Sequence, residues 1–116
     1  MEEKELLELV VKTLDEHKAA EIVTADVSRL TPFANHYVLA TCPNMRAIGA
    51  FADALEEECE KQGVNVRAKD GEPESGWIVI DLNEIIVHLF LDWARKEIKL
   101  DELVNRRKDE IKAREA

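Results

Sequence analysis

The stretch GWIVIDLNEIIVHLF, residues 76–90, constrains the fold more than any other part of the chain. Two runs of β-branched and aliphatic residues flank Asn83–Glu84. That pattern predicts an antiparallel hairpin with a two-residue turn. Asn83 tolerates the positive φ such a turn needs, whereas Glu84 is a less comfortable second residue. The turn sets opposing pairs from Leu82–Ile85 out to Trp77–Phe90. Successive side chains of a strand point to opposite faces. Ile78, Ile80, Leu82, Ile85, Val87 and Leu89 therefore form one wholly aliphatic face, which must pack on a core. Trp77, Val79, Asp81, Ile86, His88 and Phe90 form the other. A register slip would change the pairs but not the alternation within each strand. The mixed face has two readings. It is a polar-aromatic surface for a partner, or a second, smaller core under the C-terminal helix with Asp81 and His88 hydrogen-bonded inside it.

The rest of the chain supplies layers to cover such a hairpin. Leu6, Leu7, Val10, Val11 and Leu14 recur at helical spacing within residues 2–18. EIVTADV (21–27) and HYVLATC (36–42) read as strands, separated by a loop holding Pro32 and Asn35. Asn44 is placed to cap a second helix and Gly63 to stop it. Met45, Ile48, Ala52, Leu55 and Cys59 fall on one face between them. The acidic run 56–61 is the solvated side of that helix. VNVRA (64–68) alternates as a third strand, and KDGEPESG is a loop. From about Asp92 the composition turns helical. The order α-β-β-α-β-β-β-α predicts an α/β protein with a mixed sheet of about five strands covered by helices. A parallel crossover is expected within residues 36–68.

At 116 residues the chain supports one domain, here residues 1–104, with residues 105–116 a charged helical or disordered tail. The net charge is −9, yet residues 95–116 carry eight basic and six acidic side chains, leaving −11 on residues 1–94. An acidic body repels phosphate and favours a basic protein partner, so direct sequence-specific binding of nucleic acid is not expected. Aromatics make up only 5 %, without the basic–aromatic interleaving that stacks RNA bases. No apolar run approaches the roughly 18 residues of a membrane span. The acidic start MEEKELLELV lacks the basic opening of a signal peptide. Cys42 and Cys59 do not form a CxxC pair and read as free thiols. A cytoplasmic setting is expected, most simply a bacterial one.

Signatures of catalysis are absent from the sequence. It holds no P-loop, GxGxxG, GxSxG or HExxH. His17, His36 and His88 sit on three elements without metal-ligand spacing, so no metal is expected. Cys42 follows a strand and precedes a helix, which allows a nucleophile paired with His36 or His88, against the simpler reading of a buried thiol. Asp26 and Asp81 lie on separate strands without a DxD pair. The residues alone lean toward a binding module rather than an enzyme.

An ordered set of motifs across residues 5–104 sharpens this. Gly71, then Trp77-x-x-x-Asp81, Val87-His88-Leu89-Phe90, Arg95 and Leu100-Asp101-Glu102-Leu103 stand in sequence. Asp26-Val27, Val38-Leu39-Ala40-Thr41, Arg46 and Ala52-Asp53 precede them. Together they resemble the ribosomal silencing factors, also called Iojap-like proteins. Members usually carry Asp in place of Asn35, Gly in place of Cys42 and Glu in place of Asp70. They carry Gly-Asp in place of Asn83-Glu84, an aromatic in place of Ile98 and Trp in place of Val104. The resemblance implies a mixed α/β sheet related to nucleotidyltransferases but without their catalytic residues, and no cofactor. It also implies binding to the large ribosomal subunit through its fourteenth large-subunit protein, which blocks joining of the small subunit. On the matching positions the expected partner-binding residues are Trp77, Asp81, His88 and Arg95. Trp77 would anchor, Asp81 would accept from a partner cation, and His88 would orient Asp81 or donate to the partner. Arg95 would contact the partner or hold the C-terminal helix to Asp81 or another carboxylate. Two other readings stand beside this one: a nucleotidyltransferase-like enzyme or nucleotide binder, and a homodimer formed through a sheet edge.

Overall fold

The hairpin forms in the expected register, and the sheet grows around it. The computed structural model describes residues 1–102 and 104. Helix α1 (Glu3–Glu16) leads to β1 (Ala20–Asp26) and β2 (His36–Cys42). Helix α2 (Met45–Lys61) follows, then β3 (Ala68–Asp70), a short 3-10 turn (Pro73–Ser75), β4 (Trp77–Asp81), β5 (Ile85–Leu91) and α3 (Asp92–Ile98). The strands form one five-stranded sheet in the order β1-β2-β5-β4-β3. β2 and β5 run parallel at its centre; the other neighbouring pairs are antiparallel. β4 and β5 pair Trp77 with Phe90, Val79 with His88 and Asp81 with Ile86. Of the two turn residues only Asn83 has positive φ, at 79°. Glu84 is thereby spared the left-handed conformation that suits it poorly.

The aliphatic face is the main core. Ile78, Ile80, Leu82, Ile85, Val87 and Leu89 are all buried, with Val38, Ala40 and Cys42 of β2 beside them. Two helices cover this face, α1 through Leu6, Val10 and Leu14, and α2 through Ile48, Leu55 and Cys59. Each such large side chain contributes about 1.5–3 kcal/mol by leaving water. Asn44 caps α2, its side chain accepting from the Ala47 amide at 2.8 Å. Gly63, at φ +71°, lies just past its end.

Three expectations need correction. The third strand lies at Ala68–Asp70, not 64–68. Val64 and Val66 do point into the main core, which gives VNVRA its alternation. The Val64 amide, however, closes the end of α2 by donating to the Cys59 carbonyl, and pairing with β4 starts only at the Arg67 amide. The crossover from β2 through α2 to β3 does connect parallel strands, but β3 lies at the far edge with β5 and β4 in between. The helical stretch after Asp92 is broken at Lys99, which takes φ +57° before helix resumes at Leu100. The charged tail of residues 105–116 lies outside the described residues.

At the opposite edge, β1 is bulged between Ala20 and Val23, and Glu21 sits at φ +49°. A bulge of this kind interrupts the regular ladder that pairing through a sheet edge needs. No described helix is long and apolar enough to cross a membrane.

Candidate functional site: the mixed face of the sheet

The second face of the sheet collects side chains of one parity from three strands. β2 supplies Tyr37, Leu39 and Thr41; β5 supplies Ile86, His88 and Phe90; β4 supplies Trp77, Val79 and Asp81. Helix α3 and the helical turn from Leu100 cover one side of it. Leu39, Phe90 and Ala94 are buried there, with Tyr37, Trp77 and Leu100 packed around them. Val104 is buried among Ala25, Val27 and Ala34. Ile98 instead stands exposed.

Four aromatic rings line up across this face. Trp77 stacks on Phe90, its direct cross-strand partner, with centroids 5.5 Å apart and planes at 20°. His88 lies 6.3 Å from Phe90 and 4.7 Å from Tyr37. The Trp77 indole Nε1–H donates to His88 Nδ1 at 3.2 Å. These two residues are diagonal neighbours, a relation that long side chains can span. Trp77 is half-buried, at the β4 side of the face, whereas His88 is only 6 % exposed. His88 Nε2 is buried without a hydrogen-bond partner.

Burial lowers the pKa of His88 from 6.5 to about 4. The folded protein therefore keeps His88 neutral while the unfolded chain protonates it. As pH falls from 6.5 toward 4 the unfolded state binds more protons, and stability is lost across that window; above it His88 contributes no pH dependence. The full loss is on the order of 3 kcal/mol. Urea denaturation of the wild type and of His88→Phe between pH 7.5 and 4.5 checks this. The wild type is expected to lose stability relative to the variant as pH falls.

Asp81 does not bond to His88. Its carboxylate turns into the hairpin loop and accepts from the Asn83 amide at 2.7 Å, which stabilises the turn. Asp81 remains half-exposed. Arg95 is 7 % exposed and engaged inside the protein. Its guanidinium donates to both oxygens of Asp101, at 2.9 and 2.7 Å, and to the Glu21 carbonyl and the Thr41 hydroxyl, each at 2.8 Å. The hydrogen bond from Arg95 holds Asp101 below the usual carboxylate range and raises Arg95 itself. One side chain thus ties the break at Lys99, the bulge of β1 and the end of β2 together. The carboxylate that meets Arg95 is Asp101 and not Asp81, which is turned into the hairpin loop.

The enzymatic alternatives do not assemble. Asp26 pairs with His36 and so takes the face opposite Asp81, with β2 and β5 between them. Asp26 accepts from the Ser28 amide and hydroxyl instead. Cys42 is buried in the main core, and burial pushes its pKa up to about 12, the reverse of an activated thiolate. His88 lies on the other side of the sheet from it. His36 stands at the opposite end of β2, about 20 Å away at the strand rise of roughly 3.3 Å per residue. Among the described residues no group of three or more His, Cys, Asp or Glu is arranged to hold a metal ion.

The result is a mixed sheet with one sealed face and one aromatic face, the latter closed on one side by a stapled helix and carrying a half-buried indole at the other. The family model "Ribosomal silencing factor during starvation" matches residues 1–116, and the chain belongs to that family. A ribosomal silencing factor of Haemophilus influenzae is 34 % identical over 98 residues, covering 84 % of this chain and 96 % of that protein. The chloroplastic Iojap protein of Zea mays is 29 % identical over 93 residues, which are 80 % of this chain and 40 % of that longer protein. A crystal structure of a Chromobacterium violaceum protein superposes with a TM-score of 0.86 at 25 % identity, covering 90 % of this chain and 88 % of that one.

Proposed function

We propose that this chain silences translation by binding the large ribosomal subunit, through its fourteenth large-subunit protein, and sterically blocking the small subunit from joining. It does so as a binding protein without catalysis. The observation that carries the reading is the half-buried Trp77, seated on Phe90 and bonded to His88 at the open side of the mixed face. A large aromatic held in one orientation is the kind of residue that dominates an interface. Asp81, half-exposed on the same face, offers its free acceptor capacity to a partner cation. His88 and Arg95 act from beneath, the first on Trp77 and the second on the covering helix. The formal −11 over residues 1–94 suits a basic ribosomal protein and slows approach to bare RNA.

Co-sedimentation with purified large subunits at low salt tests the reading. The wild type is expected in the pellet, and Trp77→Ala is expected to weaken binding at least about tenfold, as loss of an interface anchor does. A wild type that stays in the supernatant, or a Trp77→Ala protein that pellets as well as the wild type, contradicts it.

A further inference from the structure

We propose that His88 is a positioning residue whose Nδ1 lone pair holds the Trp77 indole in the orientation it presents to a partner, without His88 touching that partner. The inference deepens the reading of Trp77 as an anchor and rests on it for its effect on binding. Indole N–H is a donor only, so the 3.2 Å contact requires Nδ1 of His88 to be the acceptor. That choice places the imidazole proton on Nε2. Nε2 is buried and has no partner. A buried N–H left unsatisfied is unfavourable, and native proteins seldom keep one without a use.

The packing does not ask for a nitrogen at this position. The rings against His88 are those of Tyr37, Trp77 and Phe90. Leu39 is its partner across the ladder to β2. An apolar side chain would fill the same space without the orphaned N–H. The nearest carboxylate on this face, Asp81, is turned into the hairpin loop and does not reach the indole. What His88 adds over a hydrocarbon is one acceptor aimed at Trp77. The fold would do as well or better with Phe or Leu, whereas the indole would lose the contact that fixes its rotation.

This asymmetry gives the test. Indole N–H signals are recorded by nitrogen-15 NMR on the full chain, with Trp77 distinguished from Trp93 by Trp77→Phe. Thermal melting and large-subunit binding are measured on the same proteins. His88→Phe and His88→Leu remove the acceptor; His88→Asn returns an oxygen near the place of Nδ1. In the Phe and Leu variants the Trp77 signal is expected to shift and its proton to exchange with solvent about tenfold faster, while Trp93 stays put. Tm should not fall, and binding should weaken about tenfold. His88→Asn should recover the Trp77 signal and much of the binding. An unmoved Trp77 signal in both apolar variants overturns the proposal, as does binding that stays at wild-type strength once the indole is freed. If the wild type itself does not bind large subunits, the reading of the surface fails instead, and the indole signals alone decide whether His88 holds Trp77.

Discussion

Arg95→Ala is expected to destabilise the protein by about 3 kcal/mol, because it removes one partner of a largely buried ion pair and leaves two further acceptors unmet. The Glu21 carbonyl and the Thr41 hydroxyl both lose their donor. Asp101 is left near the sheet without its cation, although its side chain is 30 % exposed and water recovers part of that loss. Arg95→Lys should restore little. An ammonium is a point charge, and it cannot span Asp101, Glu21 and Thr41 as a planar fork does. The structural consequence is specific. With the staple gone, the chain from Leu100 onward loses its tether to the bulge of β1, and Leu100 and Val104 come away from Tyr37 and Ile86. Urea denaturation at pH 7 measures the first effect and amide exchange around Leu39 and Phe90 the second. A loss under about 1 kcal/mol would mean that the guanidinium is dispensable.

Gly71→Ala should cost as much, about 3 kcal/mol or more, through overlap and backbone strain. Gly71 sits at φ +96°, and an added Cβ would collide with the Trp77 carbonyl oxygen and lie 3.2 Å from Ile78 Cα. Both atoms belong to the backbone of β4, which cannot move without moving the indole. Gly63→Ala is the matched control. It also has positive φ, +71°, but nothing lies within 4 Å of an added Cβ. It should cost about 1 kcal/mol and leave Trp77 in place. Denaturation curves and the Trp77 indole signal of the two variants make the comparison; equal losses would show that the close approach at Gly71 is unimportant.

These two residues mark how far the sequence could be read. Alternation over residues 76–90 is enough to place Trp77, Asp81 and His88 on one face, because a face that must be buried leaves only one parity, whereas the individual pairs follow from the two-residue turn at Asn83–Glu84. Asn44 and Gly63 were legible as helix boundaries because capping is local chemistry. Gly71 stood out in the motif, but its reason did not: the clash is with a backbone atom six residues on. The break at Lys99 carries no local signal, since lysine has no preference for positive φ. The Arg95 side chain that bridges the break to Asp101 is itself held by the Glu21 carbonyl and the Thr41 hydroxyl, which are tertiary contacts. The parallel pairing of β2 with β5 joins segments about fifty residues apart, and no local pattern encodes it. The sequence pointed His88 toward Asp81, its neighbour by face. The actual bond runs diagonally to Trp77 because Asp81 is drawn into the turn by the Asn83 amide.

Light scattering during subunit joining tests the proposed silencing most directly. Large subunits are incubated with the protein, small subunits are added, and the rise in scattering is followed. The wild type is expected to suppress the rise in proportion to its occupancy, Trp77→Ala to leave it nearly intact, and His88→Asn to suppress it more strongly than His88→Phe. A rise that is unchanged by saturating wild-type protein already bound to large subunits would contradict the account.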